Sequence, residues 1–449
     1  MTGTAGRLTV DGAEIPARLL RAVVDETTRG LAACSAGPGR AVAVDPAGGT
    51  VIVVAALAAA RVGAPLVLCP RRGRGPGSGA VALLSATNPV DVLVRPCTPD
   101  PDHLLPDDAA AVFWTSGSSG SAKAVVLSRA ALDYQSSATR DRLGLTAGDT
   151  LALPLPLSHA YGFSVLGMWQ RFGPGMHLLT TPHLGPTLAA LHDRATTSLD
   201  GVPSFYAMML RRARQDEKVR RRLRELRFRN CGGAVLPAAL ATGFRSVVGA
   251  DLYDGYGLTE AGPNVAISAP GACRPGSVGP ALAGTDVRIA ADGEIQVRGP
   301  GVMTGYHADP EADAAAFTRD GWLRTGDLGA LDDGYLYVRG RAKEVIIVLG
   351  ETFAPADVED VLCRHEGVGD AAVVGLPGAD ARGDTVVAFV EPSEGGAAAT
   401  PDDLRTTCRR NLPPALRPRV VHLVRELPRL SNGKLDRRRV RRLAESLRR

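Results

Sequence analysis

Between two apolar runs, Ala109 to Trp114 and Ala124 to Leu127, lies the polar stretch Thr115-Ser116-Gly117-Ser118-Ser119-Gly120-Ser121-Ala122-Lys123. The pattern predicts strand, glycine loop, strand. Two glycines let the backbone curl so that successive N–H groups point inward and form an anion nest. The hydroxyls and the Lys123 ammonium add donors and charge, so the loop suits a polyphosphate. It differs from the phosphate loop of nucleotide hydrolases, where a Lys-Ser/Thr pair opens a helix. Taken alone, it reads equally as a Ser/Gly surface hairpin.

The rest of the chain decides between the two. At 449 residues it is too long for one ordinary core and predicts two to three domains. With 45% hydrophobic and 22% charged residues it is globular, and with aromatics at 4% its core must rest on Ala, Val and Leu. The formal charge is +5, yet seven arginines crowd Arg437 to Arg449. No aromatics are interleaved there for base stacking, which favours a solvated helix face over nucleic-acid binding. Seven cysteines stand singly without a Cys-x-x-Cys pair, which argues against a zinc site or a disulfide framework and fits a reducing cytosol. No signal peptide is visible in Met1 to Pro16, and the apolar run from Val51 to Ala60 is too short to span a bilayer. The expected setting is cytoplasmic, away from membranes.

Strands at Arg40–Val44, Ala64–Cys69 and Val90–Val94 alternate with an apolar helix at Gly48–Val62, which predicts βαβ units and a mainly parallel sheet. Ser128 caps a helix to about Arg142, and Pro203 opens another. Arg211 to Arg229 reads as a basic, solvated helical face. Strands at Phe228–Cys231 and Asp251–Tyr253 end in polar, glycine-rich segments. Beyond Pro270 short β runs meet at Asp292-Gly293 and Asp333-Gly334, predicting a small antiparallel barrel or sheet over about 271–338. From Arg341 the order strand, helix, strand, strand, helix, strand predicts a compact α+β domain of about 105 residues. The expected organisation is α/β: a large domain over 1–340, built of βα subdomains and the barrel-like part, then a small mobile α+β domain over 341–449.

Polar clusters fall at predicted strand ends, where open α/β sheets bind ligands. They are Thr115–Lys123, His159, Gly232–Ala234, Tyr256–Glu260 and Thr325–Asp327, with Arg339–Lys343 and Pro428–Lys434 flanking the small domain. In this order and spacing, over roughly residues 105–440, the chain resembles the adenylate-forming superfamily of acyl- and aryl-CoA synthetases, carrier-protein adenylation domains and firefly luciferase. The resemblance implies that a carboxylate attacks the α-phosphorus of ATP, expelling pyrophosphate and leaving an acyl-adenylate. Two anions meet in that step, so positive charge and backbone donors must offset their repulsion.

By the same resemblance Thr115, Ser116, Gly117, Ser118, Ser119, Gly120 and Lys123 grip the β- and γ-phosphates. Gly233 and Ala234 line adenine, Tyr256 stacks on it, and Asp254 and Gly257 belong to the same wall. Thr259 touches the α-phosphate, Glu260 holds Mg²⁺, and Asp327 and Arg341 bind the ribose. Lys434 bridges carboxylate and α-phosphate, while His159 gates the acyl pocket. Lys343 is the hinge about which the small domain turns, and Gly350 lies on the thiol tunnel. Ser119, Ala122 and Ala124 depart from the family's threonine, proline and glycine, which implies altered loop stiffness with hydroxyl and cation kept. The segment before the loop is also shorter than in many relatives.

Amino-acid-activating relatives place an aspartate just after the Pro-Leu run. Here His159–Phe163 holds no carboxylate, so the acid is expected to lack a free α-amine, because an unpaired buried ammonium is costly. The expected pocket walls are Tyr161, Phe163, Ser204, Phe205, Cys231, Gly232, Tyr253 and Gly255, suited to an aryl or short acyl acid. Coenzyme A is the first expected acceptor, and a carrier-protein phosphopantetheine or an amine stays open. A degenerate nucleotide-binding module and a basic nucleic-acid-binding protein are the readings from other classes.

Overall fold

The structure, a computed structural model, describes residues 6–44, 49–68, 80–88, 91–98, 104–116, 122–180, 184–348, 351–378, 383–393, 399–430 and 434–447. An eight-stranded sheet runs in the order Ala266–Ile267, Tyr253–Tyr256, Phe228–Gly232, Ser198–Gly201, Thr150–Leu153, Gly175–Leu178, Leu8–Val10, Ala13–Ile15. It is parallel except at its two outermost pairs. A seven-stranded sheet runs Gly305–Tyr306, Ala122–Ser128, Ala109–Ser116, Leu66–Leu68, Val42–Val44, Ala82–Asn88, Asp91–Pro96.

The helix Gly49–Val62 explains how the two sheets are joined. It is built of Val and Ala and is buried on nearly every side, as a helix apolar all round must be. A Cβ on Gly49 would lie 3.4 Å from Leu178, on the eight-stranded sheet, while the helix also packs on strands of the seven-stranded one. The parallel strands beside it, Val42–Val44 and Leu66–Leu68, are wholly apolar and buried, as strands covered on both faces should be. Each fully buried Val or Leu of this core contributes about 1.5–3 kcal/mol.

Local signals fall where the sequence places them. Ser128 accepts a hydrogen bond from the Ala131 N–H at 3.1 Å, and the helix Arg129–Leu143 ends on Gly144 at φ +67°. The expected barrel or sheet is a five-stranded antiparallel sheet: Gly279–Pro280, Tyr335–Arg341, Leu323–Asp332, Glu294–Arg298, Asp286–Ile289. Beyond it, Val368–Pro377, Asp384–Pro392 and Val420–Leu423 form a three-stranded sheet with the helices Pro355–Cys363, Pro401–Asn411 and Arg437–Leu447. Buried apolar side chains gather in a large cluster between Leu8 and Leu336 and in separate clusters between Ile346 and Ala444.

Three expectations need correction. The strand expected at Asp251–Tyr253 lies at Tyr253–Tyr256, because the parallel ladder with Phe228–Gly232 begins only where Tyr253 meets Asn230. The basic stretch 211–229 is not one solvated face. Its helices break at Asp216, whose carboxylate caps Lys218 and Val219, and Arg229 is 5% exposed. There the Arg229 guanidinium donates to the carbonyls of Leu226 and Asp251 and to the Tyr253 hydroxyl, which satisfies a buried cation. In the C-terminal arginine run Arg437 is half-buried, bidentate to Glu359 with Nη1 at 2.7 Å and Nη2 at 2.8 Å, and 3.2 Å from Glu344. Among the described residues, no helix is long and apolar enough to cross a membrane, and the six described cysteines are free thiols.

Candidate functional site

Strand Phe228–Gly232 ends at the carboxyl edge of the eight-stranded sheet and hands the chain to Gly233, whose φ is +85°. Only glycine adopts that conformation without strain, and here it also clears space. A Cβ on Gly233 would lie 3.1 Å from Cε of Lys434, a residue two hundred positions away. Lys434 therefore reaches into the cleft of the large sheet. Leu430 N donates to Lys434 O at 2.8 Å, and Arg437 anchors the helix that follows.

Within the cleft Lys434 sits with His159, Tyr161 and Thr259. Burial lowers the affinity of the Lys434 amine for its proton, and the Arg341 guanidinium lowers it further, while Asp327 and Glu260 oppose both. Burial and the Lys434 ammonium likewise hold His159 below its ordinary value, so the imidazole is neutral at physiological pH. His159 stands directly before the helix Ala160–Phe172.

On the adenine side of the expected site, the Tyr256 hydroxyl donates to Asp327 Oδ2 at 2.8 Å, and Arg341 Nε meets Asp327 Oδ1 at 2.8 Å. Asp327 is 5% exposed; burial pushes its carboxyl up and Arg341 draws it down. Asp254 accepts from the Gly255 N–H at 3.0 Å, and burial raises its carboxyl well above the usual range. Gly257 and Thr259 line the cleft beyond it.

Glu260 lies in the short 3₁₀ turn Thr259–Ala261 and accepts from the Tyr306 hydroxyl at 3.2 Å. The same Tyr306 ring lies 4.6 Å beneath Lys123 Nζ. Tyr306 thus links the foot of the glycine loop to the acidic residue expected to hold Mg²⁺. Thr115 Oγ1 donates to the Lys123 carbonyl at 3.4 Å, across the antiparallel pair Ala109–Ser116 and Ala122–Ser128. The loop residues Gly117, Ser118, Ser119 and Gly120 lie outside the described residues, as does Gly350. Lys343 is exposed in the single turn Ala342–Glu344, directly after the strand that carries Arg341.

Of the expected acyl-pocket residues, Tyr161, Cys231, Gly232, Tyr253 and Gly255 line the cleft, whereas Phe163, Ser204 and Phe205 do not. Phe163 packs edge-on against Phe113 at 5.4 Å between ring centroids. Phe205 fills the space over Gly201, where a Cβ would come within 2.7 Å of its ring. Sequence reasoning also missed a polar group on the cleft wall. Asp200 accepts from the Tyr161 hydroxyl at 3.2 Å, from Asn230 Nδ2 at 3.0 Å and from the Ser198 hydroxyl at 3.1 Å. The available signal was an aspartate inside a short run otherwise composed for burial.

The sequence matches the AMP-binding enzyme family over residues 76–307 and the AMP-binding enzyme C-terminal domain over 357–434. A long-chain-fatty-acid–CoA ligase of Bacillus subtilis is 33% identical over 359 residues, covering 76% of this chain and 62% of that protein. A sulfoacetate–CoA ligase of Cupriavidus necator is 34% identical over 385 residues, covering 81% and 74%. The chain thus spans less than two thirds of the first relative's length and about three-quarters of the second's. The solved amide bond synthetase of Marinactinospora thermotolerans superposes with a TM-score of 0.81 at 26% identity, over 98% of this chain and 97% of that one. Family matches on both sides of the cleft, together with the order of its polar clusters, establish that the chain belongs to the AMP-binding enzyme family.

Proposed function

We propose that this protein is an acid–thiol ligase that activates an aryl or short acyl carboxylic acid with ATP and passes the acyl group to coenzyme A. The observation that carries the reading is Lys434 packed on Gly233 beside His159 and Thr259. In the first half-reaction a carboxylate oxygen bonds to the α-phosphorus while the bond to pyrophosphate breaks. The Lys434 ammonium would contact both anions, offsetting repulsion that grows toward the transition state. Arg341 and Asp327 would hold the ribose, and the Tyr256 ring the base. Thr115–Lys123 would cradle the phosphates.

Glu260 is a single carboxylate beside the foot of the glycine loop. That fits Mg²⁺, which binds through one or two carboxylates plus substrate phosphates. Bound there, the ion would neutralise phosphate charge. Neutral His159 is suited to closing the acyl cleft without drawing the substrate carboxylate away from Lys434.

In the second half-reaction the thiol sulfur bonds to the acyl carbon, AMP leaves, and the thiol proton is lost to solvent. We infer that the chain works as two units, 1–340 and 341–449, turning about Lys343 to withdraw Lys434 and admit the thiol along Gly350. The exposure of Lys343 in a single turn between two sheets supports that hinge. A reducing, cytoplasmic setting fits the free thiols.

An acid–amine ligase is the second reading, favoured by the likeness to the amide bond synthetase. A carrier-protein acceptor has less support, since basic residues of the 211–229 segment are paired within the chain, Arg212 with Asp216 and Arg222 with Glu225. The test is ATP–pyrophosphate exchange over aryl, alkyl and amino acids. Active acids are then presented with coenzyme A, holo carrier proteins and amines. Acid-dependent exchange followed by thioester to coenzyme A supports the proposal, and exchange with amide as the product favours the second reading. Absence of exchange with every acid overturns both.

A further inference from the structure

We propose that the inner wall of the acyl cleft is a receptor for a hydrogen-bond-donating group, amino or hydroxyl, at the end of the acid remote from its carboxylate. This rests on the acid-activating reading above and names the substrate class it would take. Asp200 and Asn230 face each other on neighbouring parallel strands, and both line the cleft. They are 2% and 8% exposed. Asp200 receives hydrogen bonds from Tyr161, Asn230 and Ser198, all neutral groups. A carboxylate offers about four acceptor sites, so one remains. With its amide nitrogen committed to Asp200, Asn230 is left with a buried Oδ1 that has no hydrogen-bond partner.

Such groups are costly to bury unless they are paired. Both open positions are acceptors, so what completes them must donate. A carboxylate, a ketone or a bare methyl at that end would leave them unpaired.

Distance selects where the donor sits on the acid. Asn230 lies three residues before Gly233, where Lys434 rests, so the two ends of the cleft are at most roughly 10 Å apart along the strand. With a hydrogen bond of about 3 Å at either end, about 4 Å is left between carboxylate and donor. An α-amine, two bonds from the carboxyl carbon, falls short. A meta substituent on a benzoate ring, or an amine on the β- or γ-carbon of a short chain, comes closest to it.

The test uses the whole chain and the paired acids benzoate, 3-hydroxybenzoate, 3-aminobenzoate, butanoate and 4-aminobutanoate. Binding is measured by calorimetry, and ATP–pyrophosphate exchange is measured on the same set. At least one donor-bearing acid should bind about tenfold or more tightly than its unsubstituted partner. Asp200→Asn and, as a second variant, Asn230→Leu should bring that ratio close to one. The rings and chains separate aryl from alkyl acids, and the two benzoates separate hydroxyl from amine. Unsubstituted acids binding as well as their donor-bearing partners, a ratio that survives both substitutions, or no binding by any of the five would overturn the receptor. Donor-selective binding without exchange would leave the receptor standing and overturn acid activation. Exchange with unsubstituted acids alone would do the reverse.

Discussion

Replacing Asp200 by asparagine should stabilise the protein at high pH and do less at low pH. Burial raises the Asp200 carboxyl from its ordinary 3.8 to about 6, against hydrogen bonds from Asn230, Ser198 and Tyr161 that pull it down. The folded chain therefore holds this proton more tightly than the unfolded chain does. Stability falls as pH rises from below the unfolded value to above the folded one. The two values differ by roughly 150-fold in proton affinity, equivalent to about 3 kcal/mol of destabilisation once the group is ionised. At pH 5 about 1.5 kcal/mol of that is already present, and at pH 8 essentially all of it. Asn230, Ser198 and Tyr161 remain to bond the amide, so Asp200→Asn should gain on the wild type by about 1.5 kcal/mol between the two pH values. The assay is urea unfolding of both proteins at pH 5 and pH 8, followed by tryptophan fluorescence. Trp114, Trp169 and Trp322 all lie before residue 340, in the part of the chain that holds Asp200. A stability difference that is flat with pH, or that shrinks as pH rises, would show that the folded chain does not hold the Asp200 proton more tightly than the unfolded chain.

Three further outcomes are expected. Lys343→Pro fixes φ at the single turn Ala342–Glu344; it should leave pyrophosphate exchange largely intact and stop thioester release, and thioester made at the wild-type rate would remove the hinge role. α-Amino acids should fall about a hundredfold or more in kcat/KM below des-amino acids of equal size, since no carboxylate stands at His159–Phe163. If α-amino acids are instead the best substrates, that expectation fails, and Asp254→Asn becomes the next variant to make. Tyr306→Phe keeps the ring under Lys123 but removes the hydroxyl that holds Glu260; it should raise the Mg²⁺ concentration needed for half-maximal exchange, and an unchanged Mg²⁺ dependence would detach Tyr306 from the metal site.

What could be read in the sequence was local. The two antiparallel strands that flank the glycine loop, the cap at Ser128 and the apolar helix to Val62 each depend on near neighbours, and they appear where expected. The hairpin Leu8–Ile15 was not legible, because its strand Leu8–Val10 finds its parallel partner only at Met176–Leu178. Phe205 is expected on the pocket wall and is not there. That it turns inward depends on Gly201 leaving space, a fact of packing across a turn. Asp200 escaped because its meaning lies in Asn230, thirty residues on, which meets it only when two strands pair in register. Only the resemblance puts Lys434 and Gly233 in one site, and their direct approach is a fact of tertiary structure, since no local pattern joins residues so far apart.

If Lys434 serves adenylate formation alone, Lys434→Ala should separate the two half-reactions. Pyrophosphate exchange with the best acid should fall by two or more orders of magnitude, about 3 kcal/mol or more of lost transition-state stabilisation. Thioester formation from a supplied acyl-adenylate and coenzyme A should stay near the wild-type rate. Equal loss in both half-reactions, or exchange that survives the substitution, would remove Lys434 from that role.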